Sequence, residues 1–194
     1  MRRERAGLRP TARRGVPASD ATRSARPRRA PIVDAPRLII FDADDTLRRT
    51  IVPGQPCPRA PGEWELLPGV AERLGRIRWG PEGTAMGIAS NQDQIAYGLV
   101  SERMARTLLV ETASAASGIA PDPTCVQLCP HTADAHCDCR KPAPGMLLRI
   151  MRHCGVSAAE TLFVGNAAID ADAARRAGVR FAWARDFFGW SGER

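Results

Sequence analysis

Lysine is almost missing from this chain. Of 28 basic residues among 194, 27 are Arg and one is Lys, at position 141. Also missing is any apolar run near the roughly 18 residues of a membrane span, which argues against a membrane-spanning helix. No apolar stretch follows the basic start, so the pattern of a secretory signal is absent and a cytoplasmic location is expected. No internal repeat is visible. What is present is enough for a packed core: 44% of residues are hydrophobic, too many for a chain disordered throughout.

The formal charge of +7 is unevenly placed. Residues 1–31 hold ten Arg against Glu4 and Asp20, a net of +8, so residues 32–194 carry −1. The first 35 residues are rich in Arg, Ala, Pro and Ser and bury too little apolar area to offset ordering entropy. They read as a disordered tail ahead of one domain over 36–194. Such a tail either binds an acidic partner such as nucleic acid or is a solvated extension; the second reading is favoured.

The body alternates short apolar runs with amphipathic segments. Arg37–Phe41, Thr84–Ala89, Cys125–Leu128, Thr161–Gly165 and Val179–Trp183 read as buried strands,. Helices are expected over 68–77, 94–117, 144–154 and from 166 to 177. Residues 50–68, with five Pro and two Gly, read as a long folded loop,. The pattern predicts right-handed βαβ units and a parallel sheet of about five strands in a Rossmann-like three-layer α/β sandwich. Ligands of open parallel sheets bind at the carboxyl ends of the strands.

Three carboxylates crowd that position in Asp42-Ala43-Asp44-Asp45-Thr46. Like charges so close need a cation or a proton. Mg²⁺ takes oxygen ligands and keeps phosphate as another. One carboxylate can act as nucleophile and a second as general acid and base. Alone, the turn reads equally well as an acidic helix cap.

Six Cys are present, and Cys129-Pro-His131, five further residues and Cys137-Asp-Cys139 supply three thiolates and one imidazole. That is a full tetrahedral set for structural Zn²⁺. Cys125 is expected on a strand, His136 and His153 in solvent, and Cys57 has no assignment.

The order FDADDT, an apolar strand ending in SNQ, RKP, and VGNAAIDADAARRAG resembles the haloacid dehalogenase superfamily of phosphotransferases, from about Arg37 to Trp183. The resemblance implies Asp42 as nucleophile and Asp44 as general acid and base. It implies Ser90 on the phosphoryl oxygen and Lys141 against the excess negative charge. Thr46, Asn91 and Arg140 are the further residues expected near substrate. Magnesium would be held by Asp42, Asp44, Asn166 and Asp170. Asn166 departs from the pattern, which has an Asp there, and a neutral amide should weaken the metal and slow or abolish turnover.

With the Cys/His loop, the motifs are similar to a branch without a large cap domain, which includes histidinol-phosphate and D-glycero-D-manno-heptose 1,7-bisphosphate phosphatases. The short spacer in the loop leans toward the histidinol-phosphate enzymes. The implied activity is Mg²⁺-dependent hydrolysis of a small phosphorylated metabolite through an aspartyl-phosphate. Two alternatives remain. Pro53–Leu67 with Trp64 is loosely similar to polynucleotide 3′-phosphatases, and Asn166 is compatible with a weak or inactive phosphate-binding member. The near-neutral body argues against nucleic acid, and no membrane partner is expected.

Overall fold

The computed structural model describes residues 35–190. The expected disordered tail therefore lies, apart from Ala35, outside the described residues. Strand β1 (Leu38–Phe41) is followed by a small antiparallel pair, β2 (Arg48–Thr50) and β3 (Trp64–Leu66), then α1 (Val70–Leu74) and β4 (Ala85–Asn91). Next come α2 (Glu102–Ser117), β5 (Val126–Cys129), α3 (Gly145–Cys154), β6 (Thr161–Gly165), α4 (Ala168–Ala177), β7 (Arg180–Trp183) and α5 (Ala184–Phe188).

The main sheet has five strands in the order β5-β4-β1-β6-β7, all parallel. β1 is central and buried on both faces, which explains why it reads as a continuous apolar run rather than an alternation,. Ile39 and Phe41 face one core with Leu74, Ile88 and Leu109. Leu38 and Ile40 face the other with Met146, Leu147, Ile150 and Phe163. Full burial of each of these large side chains contributes about 1.5–3 kcal/mol. Helices thus cover both faces, giving the expected three layers. The segments between the sheet strands hold helices and the small β2–β3 pair, with no large cap domain among the described residues.

Several local expectations need correction. The helix expected over 94–117 begins later. A 3-10 turn covers Asp93–Ile95, Gly98 takes a positive φ of 67°, and Ser101 caps α2 by accepting from the Met104 N–H. That left-handed φ, which Gly adopts at low cost, breaks the regular helix. Leu99 falls in the break and is 48% exposed, off the apolar face. The 50–68 loop is bounded by β2 and β3, whose pairing begins and ends it. α1 is shorter than expected because Gly69 enters it from a left-handed turn. Cys125 ends a 3-10 turn instead of opening β5. β4 runs on past the expected Ala89 through Asn91, which makes Ser90 a strand residue.

The aromatic end packs on the sheet. Phe187 and Phe188 lie 5.8 and 6.4 Å from the Phe41 ring, and Trp190 donates to the Pro68 carbonyl at 2.7 Å. This anchors the segment beside the strand that leads into the acidic turn.

Candidate active site and cysteine loop

Asp42 leaves β1 at the carboxyl edge of the sheet, and its N–H is fixed by the Val164 carbonyl at 2.9 Å. Two neighbouring elements converge on it. Lys141 reaches across from the end of the cysteine loop and places Nζ 2.5 Å from Asp42 Oδ1 and 2.8 Å from Asp170 Oδ1. The ammonium also stands 5.6 Å from the Phe163 ring centroid. Asp42, Lys141 and Asp170 are all buried. Burial pushes the Asp42 carboxyl up to about 6; Lys141 opposes this, while Asp170 and Asp44 add to it. For Lys141, burial disfavours the charge, but Asp42 and Asp170 outweigh it and hold the ammonium above its usual range. Two buried carboxylates share one ammonium, so the site retains negative charge.

Asp170 owes its position to the start of α4. Its Oδ2 accepts the Asn166 and Ala167 N–H groups at 3.2 and 3.0 Å, where the helix dipole favours an anion. Gly165 permits this approach: a Cβ there would lie 2.5 Å from Asp170 Cβ. Thr46 is fully buried and its hydroxyl lies 3.1 Å from Asp42 Oδ2 and 3.3 Å from Asn166 Oδ1. It braces the turn rather than opening toward solvent.

Asp44 is held from two sides. Its Oδ1 accepts from Arg48 Nε at 2.9 Å and its Oδ2 from Gln92 Nε2 at 2.7 Å. Arg48 is wholly buried, and its Nη1 donates to the Leu108 carbonyl and the Thr112 hydroxyl at 3.0 and 2.9 Å. Gln92 also donates to Ser90 Oγ at 2.9 Å. Behind it, Cys57 lies 3.6 Å from Gln92 Oε1, and burial, with Asp44 adding, pushes that thiol up to about 12. Sequence reasoning missed Arg48 and Gln92. Neither residue carried a sequence signal, because Arg48 opens β2 rather than lying on a helix and Gln92 acts through contacts made only in the fold.

Two residues expected near substrate have other partners. Asn91 donates to the Lys141 carbonyl at 3.1 Å and accepts the Lys141 N–H at 3.0 Å. These two contacts position the Lys141 backbone. Arg140 donates to the His131 carbonyl at 2.9 Å and to Asp93 at 3.0 Å. It ties the cysteine loop to the end of β4. Arg140 and Lys141 also line a shallow basin of about 390 Å³ with His136, Pro142, Ile169 and Arg176.

Cys129, His131, Cys137 and Cys139 come together as the spacing implies, with donor atoms within 4.8 Å of one another. Cys139 Sγ lies 3.2 Å from Cys129, 3.4 Å from Cys137 and 3.3 Å from His131 Nδ1; Cys129 lies 3.6 Å from Cys137 and 3.5 Å from His131. A Zn²⁺ tetrahedron of three sulfurs and one nitrogen has edges of about 3.5–3.8 Å, which these donors reach by moving apart by a few tenths of an ångström, so they fit this ion. Burial, with hydrogen bonds from its neighbours, pushes Cys129 up to about 12, whereas Cys137 is lowered to about 6 against the effect of burial by the Arg140 N–H and its neighbours. The donors at the acidic turn are oxygens, of the kind a hard cation takes.

A carboxylate at a strand end, a second two residues on, and a buried lysine beside the first form the arrangement that the resemblance to haloacid dehalogenase phosphatases implies. The chain belongs to the polynucleotide kinase 3 phosphatase family, whose model matches residues 37–187. It is similar to a D-glycero-beta-D-manno-heptose-1,7-bisphosphate 7-phosphatase of Pseudomonas aeruginosa, 30% identical over 74% of each chain. A D-glycero-alpha-D-manno-heptose-1,7-bisphosphate 7-phosphatase of Mycobacterium bovis is 31% identical over 59% of this chain and 58% of its own. Among solved structures, the heptose bisphosphate phosphatase of Bordetella bronchiseptica, complexed with magnesium and phosphate, superposes with a TM-score of 0.61 at 26% identity, over 80% of this chain and 87% of that one. These relatives carry the heptose name, so the short loop spacer does not single out histidinol-phosphate enzymes. The protein is a phosphoric monoester hydrolase. No described helix is long and apolar enough to cross a membrane.

Proposed function

We propose that residues 36–194 hydrolyse a small phosphorylated sugar of the heptose bisphosphate type through an aspartyl-phosphate on Asp42. The observation that carries this is the buried Asp42–Lys141–Asp170 cluster beside an Asp44 held by Arg48 and Gln92. Asp42 is the nucleophile: an oxygen of its carboxylate bonds to phosphorus as the ester oxygen departs. Asp44 gives its proton to that oxygen, then takes one from the water that attacks phosphorus, releasing phosphate and restoring Asp42. The clamp on both Asp44 oxygens fixes its distance from Asp42 through both steps. Ser90 has an O–H to offer a phosphoryl oxygen, and Lys141 offsets the charge gathered there.

Magnesium would be held by Asp42, Asp170 and Asn166. Asp44, whose side chain is clamped by Arg48 and Gln92, would contribute through its backbone carbonyl. When bound, the ion supplies charge neutralisation between carboxylates and phosphate. Asn166 lowers the affinity without removing an oxygen donor. Zinc in the Cys129–Cys139 loop would be structural, since four protein donors leave no open position.

The basin with Arg140 and Arg176 adjoins Lys141 and supplies cationic groups for the second phosphate of a bisphosphate. Turnover of heptose 1,7-bisphosphate should exceed that of histidinol phosphate by at least roughly 10-fold in kcat/KM, a margin of about 1.4 kcal/mol. Equal rates would sink this substrate class. The family description supports a second reading, hydrolysis of a 3′-phosphate on DNA. Faster turnover of a 3′-phosphorylated oligonucleotide would replace the sugar. A cytoplasmic location belongs to this proposal.

A further inference from the structure

At the amino ends of the strands, away from the catalytic edge, another set of soft donors comes together. Asp122, Cys125 and His153 place a carboxylate oxygen, Sγ and a ring nitrogen within 4.8 Å of one another. Asp122 Oδ2 lies 2.8 Å from His153 Nε2. Cys154 adds a second sulfur, 3.2 Å from Cys125 Sγ. The mechanism uses none of these residues.

The four come from two rigid pieces. Asp122 caps the 3-10 turn Pro123–Cys125 by accepting the Thr124 N–H at 2.8 Å. His153 and Cys154 are the last residues of α3, which Gly155 closes in the left-handed conformation. They line a cleft of about 610 Å³ that also touches Arg37, Met86 and Val156. The His153 side chain is 40% exposed and Cys125 is buried, so the set faces the cleft from its wall to its rim.

We propose that this cluster is a second site for a borderline divalent cation of the Zn²⁺ kind, held by Asp122, Cys125, His153 and Cys154. Two thiolates, one imidazole and one carboxylate match the donor preferences of Zn²⁺. Mg²⁺ and Ca²⁺ are disfavoured by the sulfurs. Three of the donors already lie within 4.8 Å of one another; Cys154, outside that set but 3.2 Å from Cys125 Sγ, would turn its side chain to complete it. The two sites sit at opposite ends of one helix. α3 starts at Gly145, whose N–H donates to the Asp138 carbonyl inside the loop at 2.9 Å, and finishes at Cys154. Zinc at the second site would therefore pin the far end of α3 and the turn before β5.

The test is zinc stoichiometry of the full chain by elemental analysis after equilibration with Zn²⁺ and removal of free ion. Wild type should hold one zinc per chain more than His153→Ala or Cys154→Ser, with both variants keeping wild-type phosphatase activity and far-UV circular dichroism. Cys139→Ser should lose the other zinc. As a measurement that needs no variant, Zn²⁺ should protect Cys125 and Cys154 from alkylation in the wild-type chain. A wild-type stoichiometry unchanged by His153→Ala and Cys154→Ser, with no protection, overturns the site. So does finding Cys125 and Cys154 alkylated only after reduction, which would make them a disulfide.

Discussion

The acidic turn and the cysteine loop flank Lys141, and they organise their polar groups in opposite ways. At the turn, protein atoms hold the three inward carboxylates: Lys141 and Thr46 on Asp42, Arg48 and Gln92 on Asp44, and the start of α4 on Asp170. In the loop, the sulfurs and the imidazole face chiefly one another. The first arrangement is preorganised for chemistry and needs a cation mainly to balance charge. The second is braced at its edges by Arg140 and by the Gly145 N–H on the Asp138 carbonyl, while its four soft donors, a set that suits a metal, are left chiefly to one another,. Lys141 joins them, because its backbone is held by Asn91 and its sequence neighbour Arg140 is held by the loop.

Four substitutions or treatments sharpen this contrast, beginning with the greatest loss. Asp42→Asn should reduce phosphatase kcat by at least about 10⁴-fold, as removal of a nucleophile does elsewhere. A smaller drop in steady-state assays would mean that the turn is not the reacting centre. Chelation that strips zinc from the loop should lower Tm by roughly 5–15 °C, from a binding contribution of about 3–4 kcal/mol. Unchanged melting, with zinc shown to be gone by elemental analysis, would make the loop as preorganised as the turn.

Arg48→Met leaves Asp44 without its buried partner and should cost about 3 kcal/mol in denaturant unfolding. Because Gln92 still holds the other oxygen, kcat should fall more than KM changes. A stability loss with kinetics intact would separate Arg48 from the acid–base step. Asn166→Asp should lower the Mg²⁺ concentration for half-maximal activity by roughly 10-fold through one added ligand charge. An unchanged Mg²⁺ titration would place Asn166 outside the metal's reach.

The pH dependence follows from Asp42. Its carboxyl is raised to about 6 in the folded chain from an ordinary 3.8. Between those values the folded state binds more protons than the unfolded one, so its contribution to stability falls as pH rises through about 6. Without Mg²⁺, Asp42→Asn should remove that fall from a Tm–pH profile.

Much of this was legible before the structure. β1 and β6 are central strands with apolar runs on both faces, and the Cys/His spacing set out the loop directly. What stayed illegible depended on distant partners. Arg48 reads as a surface charge because its buried acceptors, Leu108 and Thr112, lie 60 and 64 residues away. The pairing of Asn91 with the Lys141 backbone, 50 residues on, is equally hidden in the sequence. The start of α2 was misjudged because helical spacing continues through Gly98, whose conformation breaks the helix.

The central claim is a covalent phosphate on Asp42 that Asp44 helps to clear. It is tested most directly in Asp44→Asn with an aryl phosphate, whose leaving group needs no acid, and with Mg²⁺ present. The account predicts a burst of aryl alcohol close to one per chain, with phosphate recovered on the Asp42 peptide after acid quench. Turnover by wild type together with no burst and no labelled peptide in Asp44→Asn would contradict it.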